Sequence, residues 1–256
     1  MTPDSTDQAC RINRPVAAVL AEPELDAKRT SETLYGESVR ILNEHGAWCH
    51  VRLLKDGYEG FMQRDHLETG DAARIASTHR VCQRSTLLFA RADLKSQLCY
   101  RIPFGAEVAL TEEAGTPFSR TSCGHYLWSE HCLPLSDTLP ADPLTLARNV
   151  FLGSPYLWGG RSPEGVDCSG LVQALALSQG MAIPRDSGDQ EAFLSVDVGP
   201  DDYQARDLAY WPGHTGILLS PGELLHATAH SLCCVIEPLQ AVIDRAGPMS
   251  SVKRLF

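Results

Sequence analysis

The first half of the chain repeats a glycine turn within segments that favour β-strands. The segment Leu34–Val39 resembles Pro103–Val108, and the turn glycines Gly36 and Gly105 are 69 residues apart. A repeat of this length indicates units of about 60 residues, near the lower size at which a domain folds alone. The repeat therefore predicts two tandem β-barrels, with one longer all-β domain as the alternative.

The segments around these turns have the composition of strands. Each is rich in β-branched or aromatic residues and is bounded by Gly, Pro or Asp. The predicted strands are Val16–Leu20, Ser38–Leu42, Trp48–Leu53, Tyr58–Met62, Thr86–Phe89 and Glu107–Thr111. We expect a mobile tail over residues 1–12, barrels over 13–70 and 76–136, and a proline-containing linker at 137–143.

The pattern changes in the second half, which predicts an α+β domain over residues 140–256. Helical spacing occurs in Leu144–Leu152 and in Cys168–Gln179, and the second helix is expected to end at Gly180. The strands expected after these helices are Tyr210-Trp211, Thr215–Leu219 and Leu224–Ala227. A helix packed on an antiparallel sheet is the arrangement that this order favours.

Charge and composition narrow the partners. The chain has 22 Lys+Arg and 32 Asp+Glu, a net charge of −10, which argues against a nucleic-acid partner. No segment approaches the roughly 20 apolar residues of a membrane span. The polar N-terminus lacks the apolar core of a secretory signal, and the nine cysteines have no framework spacing, so we expect a cytoplasmic protein with reduced thiols.

One cysteine has the context of a nucleophile. Cys168 begins the predicted helix in the segment Gly165–Gly170, where free backbone N–H groups and the helix dipole favour a thiolate. This position predicts a pKa below the ordinary value of about 8.5. Asp167 is expected to cap the helix, and Ser169 leaves room for a substrate. The alternative is a buried cysteine that serves only as a small hydrophobe.

Two histidines complete a possible catalytic set. His214 begins a predicted strand directly after a glycine turn, 46 residues beyond Cys168. Together they would form the thiolate–imidazolium pair of a cysteine peptidase. His226 follows twelve residues later, and a hairpin would place it beside His214, where it could orient the imidazole.

These residues belong to a series of motifs in the second half. The series is Pro155–Gly160, Asp167-Cys168-Ser169-Gly170, Pro184-Arg185-Asp186-Ser187 with Gln190, Gly213–Ile217, and His226-Ala227. In this order the motifs resemble the NlpC-type family of papain-like cysteine peptidases. The resemblance implies Cys168 as nucleophile, His214 as general base and His226 as orienting residue. It implies no metal and no organic cofactor.

The first half resembles bacterial SH3-like domains. The resemblance rests on Gly36-Glu37, Gly46-Ala47-Trp48 and Asp56–Phe61, and the second copy is more degenerate. The implied fold class is multidomain: two small all-β SH3-like barrels followed by an α+β papain-like (NlpC-type) catalytic domain.

This layout resembles the bacterial γ-D-glutamyl-L-diamino acid endopeptidases of peptidoglycan recycling. The implied reaction is hydrolysis of the γ-D-glutamyl–L-diamino acid bond in stem peptides that carry a free N-terminal L-Ala. The implied partners are therefore peptidoglycan-derived stem peptides.

The resemblance also implies substrate-binding residues. Glu37 and Tyr58 of the first domain, with Asp167, would form an acidic pocket for the substrate ammonium. The residues implied to line the cleft or its polar loop are Tyr156, Trp158, Ser169, Arg185, Asp186 and Ser187. The competing interpretations are a solvated turn carboxylate for Glu37, a barrel-core aromatic for Tyr58 and a solvent loop for 185–187.

Three other functions fit parts of the sequence. The same catalytic residues could serve an envelope hydrolase or an amidase that acts on intact wall. The barrels could belong to a non-catalytic protein that binds wall or peptide. His226, His230, Cys233 and Cys234 have the residue types of a zinc site. Adjacent cysteines on a strand face opposite sides, however, which disfavours joint ligation.

Overall fold

The computed structural model describes residues 9–70, 73, 75–113 and 117–255. The chain divides into two compact units between residues 137 and 138, at the start of the expected linker. Within the described residues, no helix combines the length and apolar character needed to cross a membrane. The described residues include all nine cysteines, and none forms a disulfide.

The first unit is built from short antiparallel strands. Its strands are β1 (Ala9–Ile12), β2 (Val16–Leu20), β3 (Arg29–Leu34), β4 (Ser38–His45), β5 (Trp48–Leu53), β6 (Glu59–Gln63), β7 (Leu67–Glu68), β8 (His79–Val81), β9 (Ser85–Phe89), β10 (Leu98–Pro103), β11 (Glu107–Val108), β12 (Leu110–Glu113), β13 (Phe118–Thr121), β14 (Tyr126–Trp128) and β15 (Cys132–Pro134). The strands predicted for this half are confirmed, with shifts at their ends and a break that divides Glu107–Thr111.

The first sheet runs in the order β3-β2-β6-β5-β4-β1-β7. Its inward residues, among them Val19, Val51 and Met62, form one apolar core. The expectation of a mobile tail over residues 1–12 is wrong for its last four residues. Those residues form β1, which pairs with β4 because Cys10 and Ile12 are buried in the core. Residues 1–8 of that expectation lie outside the described residues.

The second repeat forms the sheets β10-β9-β14-β13-β12 and β11-β8-β15. Its core includes Leu34, which comes from the first repeat. The two glycine turns meet: the N–H of Glu107 donates to the carbonyl of Tyr35 at 2.7 Å. At Gly36, which has φ of +77°, a Cβ would lie 1.9 Å from the carbonyl oxygen of Glu107. The repeated turn therefore joins the repeats by close backbone contact.

The second unit contains four helices and a sheet within residues 138–255. The helices are α1 (Pro143–Leu146), continued by a π-helical turn at Ala147–Phe151, α2 (Cys168–Ser178), α3 (Ser187–Phe193) and α4 (Leu239–Ala246). The strands are β16 (Arg161–Ser162), β17 (Gly165–Val166), β18 (Leu208–Trp211), β19 (His214–Ser220), β20 (Glu223–Thr228), β21 (Cys233–Pro238) and β22 (Ser251–Lys253). The predicted helix from Cys168 and the three predicted strands are confirmed.

The main sheet of this unit runs in the order β21-β20-β19-β18-β22 and is antiparallel. Helix α2 packs on β19 and β20. Its buried side chains, Leu171, Val172 and Leu175, give it an apolar face that the sheet covers. This packing places the start of α2 against the strands that carry the histidines.

Candidate active site

Cys168 is the first residue of α2, and Asp167 caps the helix. The Oδ1 atom of Asp167 accepts a hydrogen bond from the N–H of Gly170 at 2.7 Å, as expected for an N-cap. Oδ2 of the same carboxylate accepts from the N–H of Gly159 at 2.7 Å. One side chain thus joins the helix start to the loop in front of it.

Close backbone packing explains the glycines in these motifs. A Cβ at Gly170 would lie 2.1 Å from the carbonyl oxygen of Gly160, and a Cβ at Gly160 would lie 2.4 Å from that of Gly165. No real side chain tolerates such distances. The glycines therefore allow the helix start to press against the β16–β17 hairpin and its approach loop.

Arg185 holds this arrangement from the other side. Its guanidinium donates to Oδ2 of Asp167 at 2.7 Å and to Oγ of Ser169 at 2.8 Å, and the side chain is almost fully buried. Gln190 donates to the carbonyl oxygens of Ser169 and Pro184. The interpretation of residues 185–187 as a solvent loop is therefore wrong at Arg185. Its guanidinium is buried and pairs with the carboxylate of Asp167, beside the nucleophile.

The environment of the Cys168 sulfur differs from the expectation. Burial and the negative charge of Asp167 raise its pKa to about 11, although backbone N–H groups of Thr215 and Ser169 and the charge of Arg185 oppose the rise. The expected lowering of this pKa is therefore wrong, since desolvation outweighs the helix start. The bond from Thr215 nevertheless places the sulfur against the residue that follows His214.

His214 and His226 lie on adjacent strands with their rings in contact. Nε2 of His214 is 2.7 Å from Nδ1 of His226, and the ring planes meet at 67°. Gly216 makes this possible, because a Cβ there would lie 2.8 Å from Cβ of His226. The predicted juxtaposition of the two histidines is what the hairpin produces.

The hydrogen-bond chain continues to residues that the sequence analysis did not identify. Nε2 of His226 lies 2.8 Å from Oε2 of Glu237, and Arg245 donates to both carboxylate oxygens, at 2.8 and 3.2 Å. Glu237 is on β21, where Val235 is the register partner of His226. Two residues further along the strand, Glu237 is a diagonal neighbour on the same face. The alternation of side chains along a strand could have indicated Glu237, but only if the register between β20 and β21 were known.

Both histidines favour their neutral forms. Burial, together with the charges of His226 and Arg245, lowers the pKa of His214 to about 4 against the opposing effect of Glu237. Burial also lowers the pKa of His226. The raised pKa of Cys168 and the lowered pKa of His214 both favour thiol and imidazole over the expected thiolate–imidazolium pair. The proton can then move to His214 as the sulfur attacks.

The zinc alternative conflicts with these contacts. Both ring nitrogens of His226 are engaged, one with His214 and one with Glu237. Among residues 9–70, 73, 75–113 and 117–255, no group of three His, Cys, Asp or Glu side chains is arranged to hold a metal ion. His226 therefore belongs to the hydrogen-bond chain.

The remaining cleft candidates differ in exposure. Tyr156 is half-buried, and burial with the nearby charges of Cys168 and Asp167 raises its pKa to about 12, so it lies close to the nucleophile. Trp158 is 56 % exposed and available to a ligand. Asp186 is exposed at the N-terminus of α3, and Ser187 is buried as the first residue of that helix.

The first-unit candidates, Glu37 and Tyr58, sit in two different environments. Glu37 is only 3 % exposed, accepts from the N–H of Leu34 and pairs with Lys55 at 2.7 Å. Its interpretation as a solvated turn carboxylate is therefore wrong. Lys55 also pairs with Glu107 at 2.9 Å. Tyr58 packs against the barrel core, as its competing interpretation anticipated.

A helix-borne thiol beside a strand-borne pair of histidines defines the site of a cysteine peptidase. Residues 153–242 match the NlpC/P60 family, and residues 19–67 match the bacterial dipeptidyl-peptidase Sh3 domain. The chain belongs to the NlpC/P60 family.

Its similarity to curated proteins extends over most of the chain. Dipeptidyl-peptidase 6 of Lysinibacillus sphaericus is 30% identical over 83% of this chain and 85% of its own length. The γ-D-glutamyl-L-lysine dipeptidyl-peptidase of Bacillus subtilis (strain 168) is 31% identical over 77% of this chain and 71% of its own. A crystal structure of an NlpC/P60 family protein from Bacillus cereus ATCC 10987 shares the fold, with TM-score 0.83, 21% identity, and coverage of 96% of this chain and 99% of that one.

Proposed function

We propose that the protein hydrolyses the γ-D-glutamyl–L-diamino acid bond of peptidoglycan stem peptides that carry a free N-terminal L-Ala. The observation that carries the proposal is the placement of the Cys168 sulfur at the start of α2, where it accepts from the N–H of Thr215, next to His214, whose ring contacts His226 at 2.7 Å. The Bacillus subtilis relative, named a γ-D-glutamyl-L-lysine dipeptidyl-peptidase, supports the choice of bond.

The reaction follows from these residue types. As the Cys168 sulfur attacks the γ-carbonyl carbon of D-glutamate, its proton passes to His214. The backbone N–H of Cys168, at the helix start, is suited to stabilise the oxyanion. His214 then gives the proton to the amine of the departing diamino acid, and the C–N bond breaks. Water, deprotonated by His214, attacks the thioester and releases the acid and the thiol.

The finer architecture belongs to the same proposal. The second strand assembly, over about 76–136, is an SH3-like barrel like the first at 13–70, and residues 140–256 form a papain-like catalytic domain. The repeated glycine turn supports the second barrel. The packing of α2 on the histidine-bearing sheet supports the papain-like order of nucleophile, base and orienting residue.

Recognition of the substrate ammonium is assigned to carboxylates. In the first unit, Glu37 and Glu107 both pair with the ammonium of Lys55. We assign Glu37 and Tyr58 of the first unit to that role. In the second unit, Asp167 lies beside the nucleophile, and Tyr156 and Trp158 offer aromatic surface to the peptide.

The setting proposed for this activity is the bacterial cytoplasm, where stem peptides with free amines are recycled. A net charge of −10 gives no support to a nucleic-acid partner. Neither a metal nor an organic cofactor enters the proposed steps, which need only the thiol, the imidazole and water.

The test compares three substrates: L-Ala-γ-D-Glu-meso-diaminopimelate, its N-acetylated copy and polymeric peptidoglycan. We expect cleavage of the free tripeptide, which releases L-Ala-D-Glu, to be far faster than cleavage of the other two substrates, and to stop in Cys168→Ala. A lysine-containing tripeptide measures the preference for the diamino acid. Cleavage of the polymer or the acetylated peptide at similar rates would favour an envelope hydrolase or amidase and contradict recognition of the amine.

A further inference from the structure

The hydrogen-bond chain behind His214 does not end at His226. It continues to Glu237 on β21 and from there to Arg245 on α4. We infer that Glu237 is a positioning residue: its carboxylate fixes which nitrogen of His226 carries the proton, and thereby leaves Nδ1 of His214 able to accept the proton of Cys168. The inference rests on the proposed attack by Cys168 and adds a fourth residue to that site.

Glu237 can only accept hydrogen bonds in this arrangement. Its two oxygens receive bonds from the guanidinium of Arg245, which stands in a two-point geometry. The Arg245 bonds lower the pKa of Glu237 below its ordinary value, and the bond from His226 acts in the same direction. An ionised carboxylate has no proton to donate. The 2.8 Å contact with His226 therefore has Nε2 of the histidine as donor.

The bond to Glu237 also determines which nitrogen is protonated in each of the two neutral histidine rings. A neutral imidazole carries one N–H, so a proton on Nε2 of His226 leaves its Nδ1 as an acceptor. Nδ1 lies 2.7 Å from Nε2 of His214, which must then be the donor of that bond. A neutral His214 with its proton on Nε2 has its lone pair on Nδ1. Because Nε2 is engaged with His226, Nδ1 is the nitrogen left to act as base in the proposed reaction.

Packing removes the freedom of His226 to adapt in other ways. The His226 side chain is fully buried, and Cβ of His226 lies against the backbone of Gly216. Its ring therefore has two fixed polar neighbours, and the only choice left is which nitrogen is protonated. If the carboxylate were absent, Nε2 of His226 would favour the unprotonated state. The proton of His226 would then be on Nδ1, which would donate to His214. His214 would then carry its proton on Nδ1 and could not accept another there.

The titratable groups that act on the two rings are Glu237 and Arg245, and His226 also acts on His214. Glu237 raises the pKa of both histidines and Arg245 lowers it. Glu237 is 22% exposed and Arg245 is 30% exposed, so this pair lies at the solvent edge of the chain. A substitution at Glu237 can therefore change the proton positions with little loss of packing.

The experiment uses the full chain with Glu237→Met, Glu237→Gln and, as a matched control, Glu223→Met. Glu223 is an exposed carboxylate on β20, the strand of His226. Methionine keeps most of the volume but has no strong acceptor, whereas glutamine restores an acceptor oxygen without the charge. The readouts are the tautomers of His214 and His226 from ¹⁵N NMR, together with kcat and KM for the free tripeptide.

We expect both wild-type histidines to carry the proton on Nε2, and both to shift toward Nδ1 protonation in Glu237→Met. In that variant kcat should fall roughly tenfold at unchanged KM, a smaller loss than the factor of about 10⁴ known for a residue that orients a catalytic histidine directly. Glu237→Gln should recover most of both properties, and Glu223→Met should match the wild type.

Two results would overturn the inference. One is a wild-type His226 that carries its proton on Nδ1. The other is a Glu237→Met protein with wild-type tautomers and kcat. Loss of hydrolysis in Cys168→Ala alongside either result would leave the proposed reaction standing. A wild-type chain inactive on every substrate would instead remove the proposed reaction, while the NMR measurement would still decide the role of Glu237.

Discussion

Two buried carboxylates, Glu37 and Asp167, were predicted to serve the same substrate ammonium, yet their surroundings differ. Asp167 pairs with one buried cation, Arg185, and accepts two backbone N–H bonds. Glu37 pairs with Lys55, which it shares with Glu107. The first carboxylate has a buried guanidinium partner, whereas the second shares its ammonium partner with another carboxylate.

The difference teaches that burial of a carboxylate does not by itself indicate a ligand site. A neutralised carboxylate such as Asp167 holds structure, here the start of α2 and the loop of Gly159. A carboxylate that shares its ammonium partner with a second carboxylate is the better candidate to attract a further cation. We therefore expect substitutions at the two sites to have different effects. Breaking the Asp167 pair should disrupt the fold of the catalytic centre, whereas substitution of Glu37 should change only the choice of substrate.

The largest effect is expected from Arg185→Met, which leaves Asp167 charged, buried and without its cation. Removing one partner of a buried pair costs about 3–5 kcal/mol, because an uncompensated charge remains. The free energy of unfolding of the catalytic unit, measured by urea titration, should fall by that amount. Hydrolysis of free and acetylated peptides should be lost together.

Arg206→Met is the matched control for this change. Arg206 pairs with Asp142 at 2.7 Å, but both side chains are substantially exposed. An exposed pair contributes about 0–1 kcal/mol. An equal fall in the free energy of unfolding in the two variants would show that the Asp167–Arg185 pair contributes no more to stability than a surface pair.

The next effect concerns the proton of Cys168 and follows from the burial of its sulfur beside Asp167. A pKa raised to about 11 leaves little thiolate at neutral pH, so alkylation of Cys168 by a neutral haloacetamide should be slow and should rise with pH up to about 11. At pH 7 its thiolate fraction should be roughly 300-fold below that of an exposed cysteine with the ordinary pKa of about 8.5, since each pKa unit is a factor of ten. Rapid, pH-independent alkylation between pH 5 and 8 would instead show a thiolate–imidazolium pair.

The smallest effect is expected from Glu37→Gln, which removes the charge of this carboxylate but keeps an acceptor for Leu34. The ratio of kcat/KM for the free tripeptide to that for its acetylated copy should fall about tenfold. This corresponds to loss of one hydrogen bond to a charged group, at the lower end of about 1.5–3 kcal/mol. Glu59→Gln, at an exposed carboxylate of β6 paired with Arg52, is the control. An unchanged ratio would exclude Glu37 from amine recognition.

The parts of the site that sequence could predict are those written in local pattern. The capping residue, the nucleophile at the first helical position and the histidine after a glycine turn each follow from a few neighbouring residues. The partners Lys55, Arg185 and Glu237 do not, because each is distant in the chain from the residue it contacts. The burial of Cys168 could not be predicted for the same reason. Its raised pKa results from the packing of surrounding elements, which a local motif does not indicate.

The fold shows the same division between local and distant information. Strand positions such as Val16–Leu20 and Trp48–Leu53 were predicted because composition and turns define them. The insertion of Leu34 into the core of the second repeat was not, since it depends on the contact between the two glycine turns.

The central claim, that Cys168 attacks the γ-carbonyl of D-glutamate, is tested most directly by trapping the acyl-enzyme. The free tripeptide is mixed with the full chain, quenched in acid and measured by intact and peptide mass spectrometry. We expect one added L-Ala-γ-D-Glu acyl group, located on Cys168 and absent from Cys168→Ala. An adduct on another of the nine cysteines, or continued hydrolysis by the Cys168→Ala chain, would contradict it.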